Sequence, residues 1–69
     1  MYENLKFEML KSGLKQKDMA EFLGIHENSI GNKLSGASSF TIDEAFKIKE
    51  RYFPHLDLQY LFKKINKSA

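Results

Sequence analysis

The sequence predicts an all-α protein of five short helices, and three observations carry that prediction. Apolar residues recur three or four positions apart in five separate stretches, the spacing of one helix face. Gly13, Gly24 and Gly36 stand just beyond three of those stretches. A helix commonly ends there in the left-handed conformation, which glycine enters without steric cost. No hairpin dipeptide separates two alternating runs, and no period of two is sustained, so no strand is expected.

The first helix is predicted over Tyr2 to Ser12, with Leu5, Met9 and Leu10 as its apolar stripe. Glu3, Lys6, Glu8 and Lys11 then occupy the other sides, and Phe7 falls onto a flank or a partner surface. Gly13 closes this helix and Leu14 tucks back behind the cap. The second helix, Gln16 to Leu23, turns Met19, Ala20 and Leu23 inward, with Phe22 half-buried beside them. Lys15 stands where Ser, Thr, Asp or Asn is the preferred N-cap. The first amides therefore depend on Asp18, on water or on an external anion.

The third helix, Glu27 to Ser35, has His26 at its N-cap and only Ile30 and Leu34 as apolar anchors. Asn28, Ser29, Gly31 and Asn32 are weak helix formers, and Gly31 alone costs about 0.5–1 kcal/mol relative to alanine. Such a helix is shaped by what its outer face touches rather than by stability. The second and third helices, joined through Gly24 and Ile25 with the small Ala20 at their crossing, form a helix-turn-helix.

Ala37-Ser38-Ser39 reads as a loop. Thr41-x-x-Glu44 is a capping box that starts the fourth helix. Its stripe is Ile42, Ala45, Phe46, Ile48, the stem of Lys49, Tyr52 and Phe53, and Pro54 stops it. Asp57 caps a last short helix bearing Leu58, Leu61, Phe62 and Ile65, with Lys63, Lys64 and Lys67 as a basic tail. His26 is an N-cap substitute or a surface residue, and His55 beside Pro54 lies in a loop. The aromatic set Phe40, Phe46, Tyr52, Phe53, Tyr60 and Phe62 falls on helical stripes. It is core or dimer surface, not a stacking platform for single strands.

Without repeat or linker, the 69 residues read as one domain spanning 1–69. A chain this short buries only roughly 60% of its unfolded surface. Helix packing, dimerisation or a ligand must supply part of its stability. There is no cysteine, hence neither a disulfide nor a thiolate metal site. No apolar run approaches the ~20 residues that span a bilayer, so a soluble intracellular protein is expected. Eleven Lys and Arg against nine Asp and Glu leave a formal charge of +2, weak support by itself for a nucleic-acid partner. No His, Asp and Glu group has metal-ligand spacing, and no nucleophile sits with a base, so an enzyme is not expected.

In order along the chain, Leu14-x-Gln16-x-x-Met19-Ala20-x-x-Leu23-Gly24-Ile25, then Ile30 and Gly36, resemble the Cro/repressor (XRE-type) DNA-binding family of temperate phages. Lys33-Leu34-x-Gly36, Phe40-Thr41-x-x-Glu44-Ala45 and Tyr60-Leu61-Phe62 are similar to segments of short prophage regulators. The resemblance implies a compact five-helix, lambda-repressor-like DNA-binding domain. Its function is then that of a phage or prophage transcriptional regulator reading double-stranded operator DNA. The third helix lies in the major groove, and the second crosses the backbone above it.

The positions matching the family's base readers are Glu27, Asn28, Ser29 and Asn32. Asn bridges N6 and N7 of adenine, and Glu accepts from the N4 of cytosine. Gln16 matches a residue that clamps a phosphate and steadies the reading helix. Lys15, Lys17 and Lys33, with the hydroxyls of Ser38 and Ser39, are further phosphate candidates, which position the domain without reading sequence. Specificity from half-sites implies a homodimer, at least on DNA, through the Leu56 to Ile65 region. No cofactor, metal, membrane or small-molecule ligand is expected. The lack of a second domain makes the chain more Cro-like than like a full-length repressor.

Two departures from the family pattern carry expectations of their own. Met9 and Leu34 occupy positions where the family often pairs an arginine with a glutamate, so an apolar contact is predicted there. Such a replacement is often neutral or stabilising. Lys33 stands where many helix-turn-helix sequences have an apolar residue, which frees a cation near the DNA. The alternative function is a protein-binding module of antitoxin or anti-repressor type. It would need an exposed aromatic or aliphatic anchor on the third helix, or a C-terminal helix presenting Tyr60, Phe62 and Ile65.

Overall fold

The computed structural model describes residues 2–64. Ile65 and Lys67, expected on the last helix and in the basic tail, lie outside the described residues. Five α-helices and no strand make up the described chain: α1 Glu3–Ser12, α2 Gln16–Leu23, α3 Glu27–Ser35, α4 Ile42–Tyr52 and α5 Leu58–Leu61. Among the described residues no helix is long and apolar enough to cross a membrane.

The helix ends follow from local chemistry. Gly13 and Gly24 adopt φ of 76° and 73°. Each lets the next residue's amide fold back: Leu14 N–H donates to Met9 O, and Ile25 N–H to Ala20 O. The box at α4 is complete, with Glu44 N–H donating to Thr41 Oγ1 at 3.1 Å and Thr41 N–H to Glu44 Oε1 at 2.9 Å. Asp57 Oδ2 accepts from Tyr60 N–H and starts α5. At α2, Asp18 Oδ2 takes the amide of Lys15 itself, so Asp18 braces the N-cap rather than the first helical amides. His26 makes no side-chain cap bond and is an exposed surface residue.

One apolar core holds the helices. Leu5, Met19, Ile30, Ile48 and Leu61 are wholly buried, and Met9, Ala20, Leu34 and Phe53 nearly so. Leu14, Leu23, Ile25, Phe40, Tyr52, Leu56 and Phe62 pack against it half-buried. Met9 and Leu34 belong to the same core and line the same cleft, as their apolar character predicts. Tyr2, one residue before α1, is also core. Its ring stands edge-on to Phe40 and Phe62, which in turn meet each other. Its amide donates to Leu34 O, fastening the N-terminus to the end of α3.

Three expected faces differ from the structure. Leu10 is 82% exposed, and Glu8 takes the buried side instead. The Glu8 carboxylate is accommodated because the Tyr60 hydroxyl donates to its Oε2 at 2.8 Å and Lys11 lies 3.8 Å from Oε1. A buried charge is tolerated only with such partners. Ile42 and Phe46, expected on the α4 stripe, point outward, because Ala45, Ile48 and Phe53 already fill the inner side. Lys49 contributes through its head group, which donates to Pro54 O beyond the helix end.

Candidate functional site

α2 and α3 are joined by three residues, Gly24 to His26, and pack on each other more extensively than any other pair of helices. Ala20, buried on α2, permits the close approach. A second contact lies at the open end of the pair. The side-chain oxygen of Gln16 sits 3.5 Å from the point where a Cβ on Gly31 would project. The start of α2 therefore lies close to the middle of α3, and a methyl group at residue 31 would meet Gln16 at ordinary van der Waals distance.

Two sets of candidate residues lie on these two helices. Lys15, Gln16 and Lys17 are exposed at the start of α2, and Glu27, Asn28 and Asn32 are exposed on α3. Ser29 is half-buried, and its amide bonds to His26 O in the first turn. No hydrogen bond among the described residues engages the side chains of Asn28 or Asn32, so their amide groups face solvent with full donor and acceptor capacity. These candidate residues offer amides, one carboxylate and two ammonium groups, and α3 carries none of the exposed large apolar residues of the described chain.

Lys33 does not join them as a free cation, contrary to expectation. Its Nζ lies 3.2 Å from Glu44 Oε1 and donates to Ser39 O at 3.0 Å. Its ammonium also sits 5.8 Å from the centre of the Phe40 ring. The side chain is only 16% exposed and ties α3 to α4. Burial pushes the Glu44 carboxyl up, but the Thr41 amide and the Lys33 ammonium together outweigh that and hold it below its ordinary value.

Ser38 and Ser39 are exposed in the α3–α4 loop. Ser38 is fastened to α3 through its amide, which donates to Asn32 O. Ser39 is occupied from two directions, since its carbonyl accepts from Lys33 and its hydroxyl from Lys64. The second bond brings a cation of the basic tail to the loop beyond α3. Nothing local in the sequence announces that approach across 25 positions.

Among the described residues no group of three or more His, Cys, Asp or Glu is placed to hold a metal ion. Comparison with family models, curated proteins and solved structures finds no match to this chain.

Proposed function

We propose that this chain is a sequence-specific, double-stranded DNA-binding transcriptional regulator of the Cro/repressor-like kind, with α2 and α3 as its helix-turn-helix. The observation that supports the reading is the close approach of the two helices, with Gln16 Oε1 3.5 Å from where a Cβ on Gly31 would stand, together with the exposure of Lys15 and Lys17 at the start of α2 and of Asn28 and Asn32 on α3. Cations that meet phosphate set the register, and carboxamides that meet base edges read sequence. α3 then lies in the major groove, where small polar residues admit base edges, and α2 crosses the backbone. Glu27 and Ser29 complete the reading edge. Gln16, Lys15, Lys17 and Ser38 contact phosphate, with Lys64 near the loop as an additional cation. Lys33 and Ser39 act by holding that loop in place.

The homodimer is part of the proposal, since one reading helix covers only a few base pairs. Leu61 is wholly buried and Leu56 and Phe62 are half-buried, so the described part of the proposed region, residues 56–64, offers less free apolar surface than its composition suggests. Ile42, 72% exposed, lines a cleft together with Leu58, Gln59 and Phe62 and extends that surface. A bacterial cytoplasmic location follows from this function and carries no separate support. An antitoxin-like use of α3 is disfavoured by the lack of an apolar anchor on its exposed face.

The experiment is selection from random duplexes at ~150 mM salt, where phosphate-only binding is suppressed. A two-fold-symmetric consensus is the expected outcome. Failure of any sequence to enrich, together with no bulk binding, would sink the reading.

A further inference from the structure

The surface of α1 beside the candidate interface carries apolar side chains that no described part of the fold covers. Leu10 is 82% exposed and Phe7 55%, and the i, i+3 spacing sets them side by side on one helix face. Leu10 also walls a cleft of about 350 Å³ whose floor is Met9, Leu14 and Leu34. Exposed apolar surface next to a cleft marks an interaction site more often than does a scattered single residue. The rim is basic. Among the described residues Lys6 and Lys15 line the cleft and no acidic residue does; Lys11, 5.1 Å from the centre of the Phe7 ring, is paired with Glu8.

We propose that this cleft docks an acidic amphipathic helix of a partner protein, its apolar anchors on Leu10 and the cleft floor, its carboxylates on Lys6 and Lys15. Charge selects that occupant. A second copy packed here across a two-fold axis would bring Lys6 and Lys15 of one copy towards the same lysine pair of the other, and like charges so placed oppose association. An acidic helix supplies the complementary sign, and its i, i+3, i+4 and i+7 anchors suit a groove of this kind.

Docking has a consequence that rests on the DNA reading. Lys15 and Gln16 line the cleft and also stand at the start of α2 on the candidate DNA face. Partner and duplex then compete for the same side chains, so the partner relieves DNA binding while meeting α3 only at Leu34 and leaving its exposed polar face uncovered.

The test uses the full chain, isotope-labelled, and a synthetic helix with leucines at i, i+3, i+4 and i+7 and glutamates elsewhere. Saturable binding is expected, with amide shifts centred on Phe7, Leu10, Leu14 and Lys15. Leu10→Glu should weaken it at least about tenfold, as loss of a central anchor does. A probe with lysines for glutamates should bind weaker by a similar factor. Because Leu10 faces solvent, the variant keeps its fold, and an unchanged melting temperature checks that.

Equal binding of the lysine probe, or shifts elsewhere on the domain, would overturn the proposal. So would a dimer that Leu10→Glu converts to monomer, which would make a second copy the occupant. Binding to phosphatidylglycerol vesicles that needs Leu10, with no binding of the acidic helix, would overturn it too. Displacement of a labelled duplex by the acidic helix tests the competition, and a stable ternary complex would refute it. A domain that binds the helix but no duplex would refute the DNA reading and the competition, while the docking site stands.

Discussion

Lys33 Nζ lies 3.2 Å from Glu44 Oε1, and this pair fastens the last turn of α3 to the first turn of α4. The same carboxylate accepts from the Thr41 amide, so one group serves both the cap of α4 and the position of α3. Both side chains are under a fifth exposed. Removing one partner should therefore cost more than an exposed pair does and less than a fully buried one. Lys33→Met is expected to destabilise the protein by about 1–2 kcal/mol, read by urea unfolding at neutral pH.

The pair also sets a pH dependence. The folded-state value of Glu44 is lowered, so its contribution is fully present above the ordinary 4.5 and is lost as pH falls through the lowered value. Lys33→Met removes one of the lowering influences and should flatten the acid limb of the stability curve. An acid limb identical to the parent's would mean that the pair forms no effective contact in solution.

At the opposite end of the pH scale, Tyr60 is the group to follow. Its hydroxyl donates to Glu8 Oε2, and that bond, with the nearby carboxylate charge, raises the phenol above its ordinary 10.0. A raised value means stability fully present below 10.0 and lost as pH rises through the folded-state value. Tyr60→Phe should lower the melting temperature at neutral pH and lose less on going to alkaline pH than the parent does. Comparison of the two proteins from neutral to alkaline pH isolates Tyr60 from the lysines, which both share.

Gly31 separates stability from function. It sits inside α3 at ordinary helical φ, and a Cβ there would meet only Gln16 Oε1, at 3.5 Å, an ordinary van der Waals distance. Gly31→Ala is accordingly expected to stabilise the protein by about 0.5–1 kcal/mol. If Gln16 and α3 share a DNA surface, the added methyl tightens that contact and operator affinity falls while stability rises. A stability below the parent's would show that the methyl is not accommodated beside Gln16.

Much of this fold is legible along the sequence because its causes are local. The bounds of α2 and α3, the capping box of Thr41 and Glu44, the Asp57 cap and the Pro54 stop all depend on residues within four positions of one another. What escapes is set by distant partners. Glu8 reads as an outward charge until Tyr60, 52 positions away, supplies its hydrogen bond. Leu10 reads as core because it follows Met9, yet it is about 140° around the helix from Leu5. Lys33 reads as a free cation for the same reason: Glu44 and Ser39 meet it only once α4 has packed. In the candidate site, residue types were legible and side-chain commitments were not.

The apolar replacement at Met9 and Leu34 makes a prediction about the core. Both are buried, and among the described residues the lining of their shared cleft holds Lys6 and Lys15 but no carboxylate. Met9→Arg places a third cation there without a partner and should cost about 2 kcal/mol or more. Adding Leu34→Glu should recover part of that loss, since contacting residues couple by 0.5–3 kcal/mol or so. A double variant no better than the sum of the single ones would show that the two side chains do not meet.

Two substitutions divide the proposed DNA surface by role. Lys17 is exposed at the start of α2. As a phosphate contact, Lys17→Ala should weaken specific and random duplexes alike and lower the salt slope by about one. Asn32 is exposed on α3, and as a base reader its carboxamide bridges the two major-groove positions of an adenine. Asn32→Ala should then cost about 1–3 kcal/mol on the selected site, leave the salt slope alone and relax preference at one base pair. Titrations of both variants against selected and scrambled duplexes over a range of salt distinguish these outcomes. If Asn32→Ala changed the slope and Lys17→Ala the base preference, the roles of the two helices would be exchanged, with α2 in the groove and α3 on the backbone.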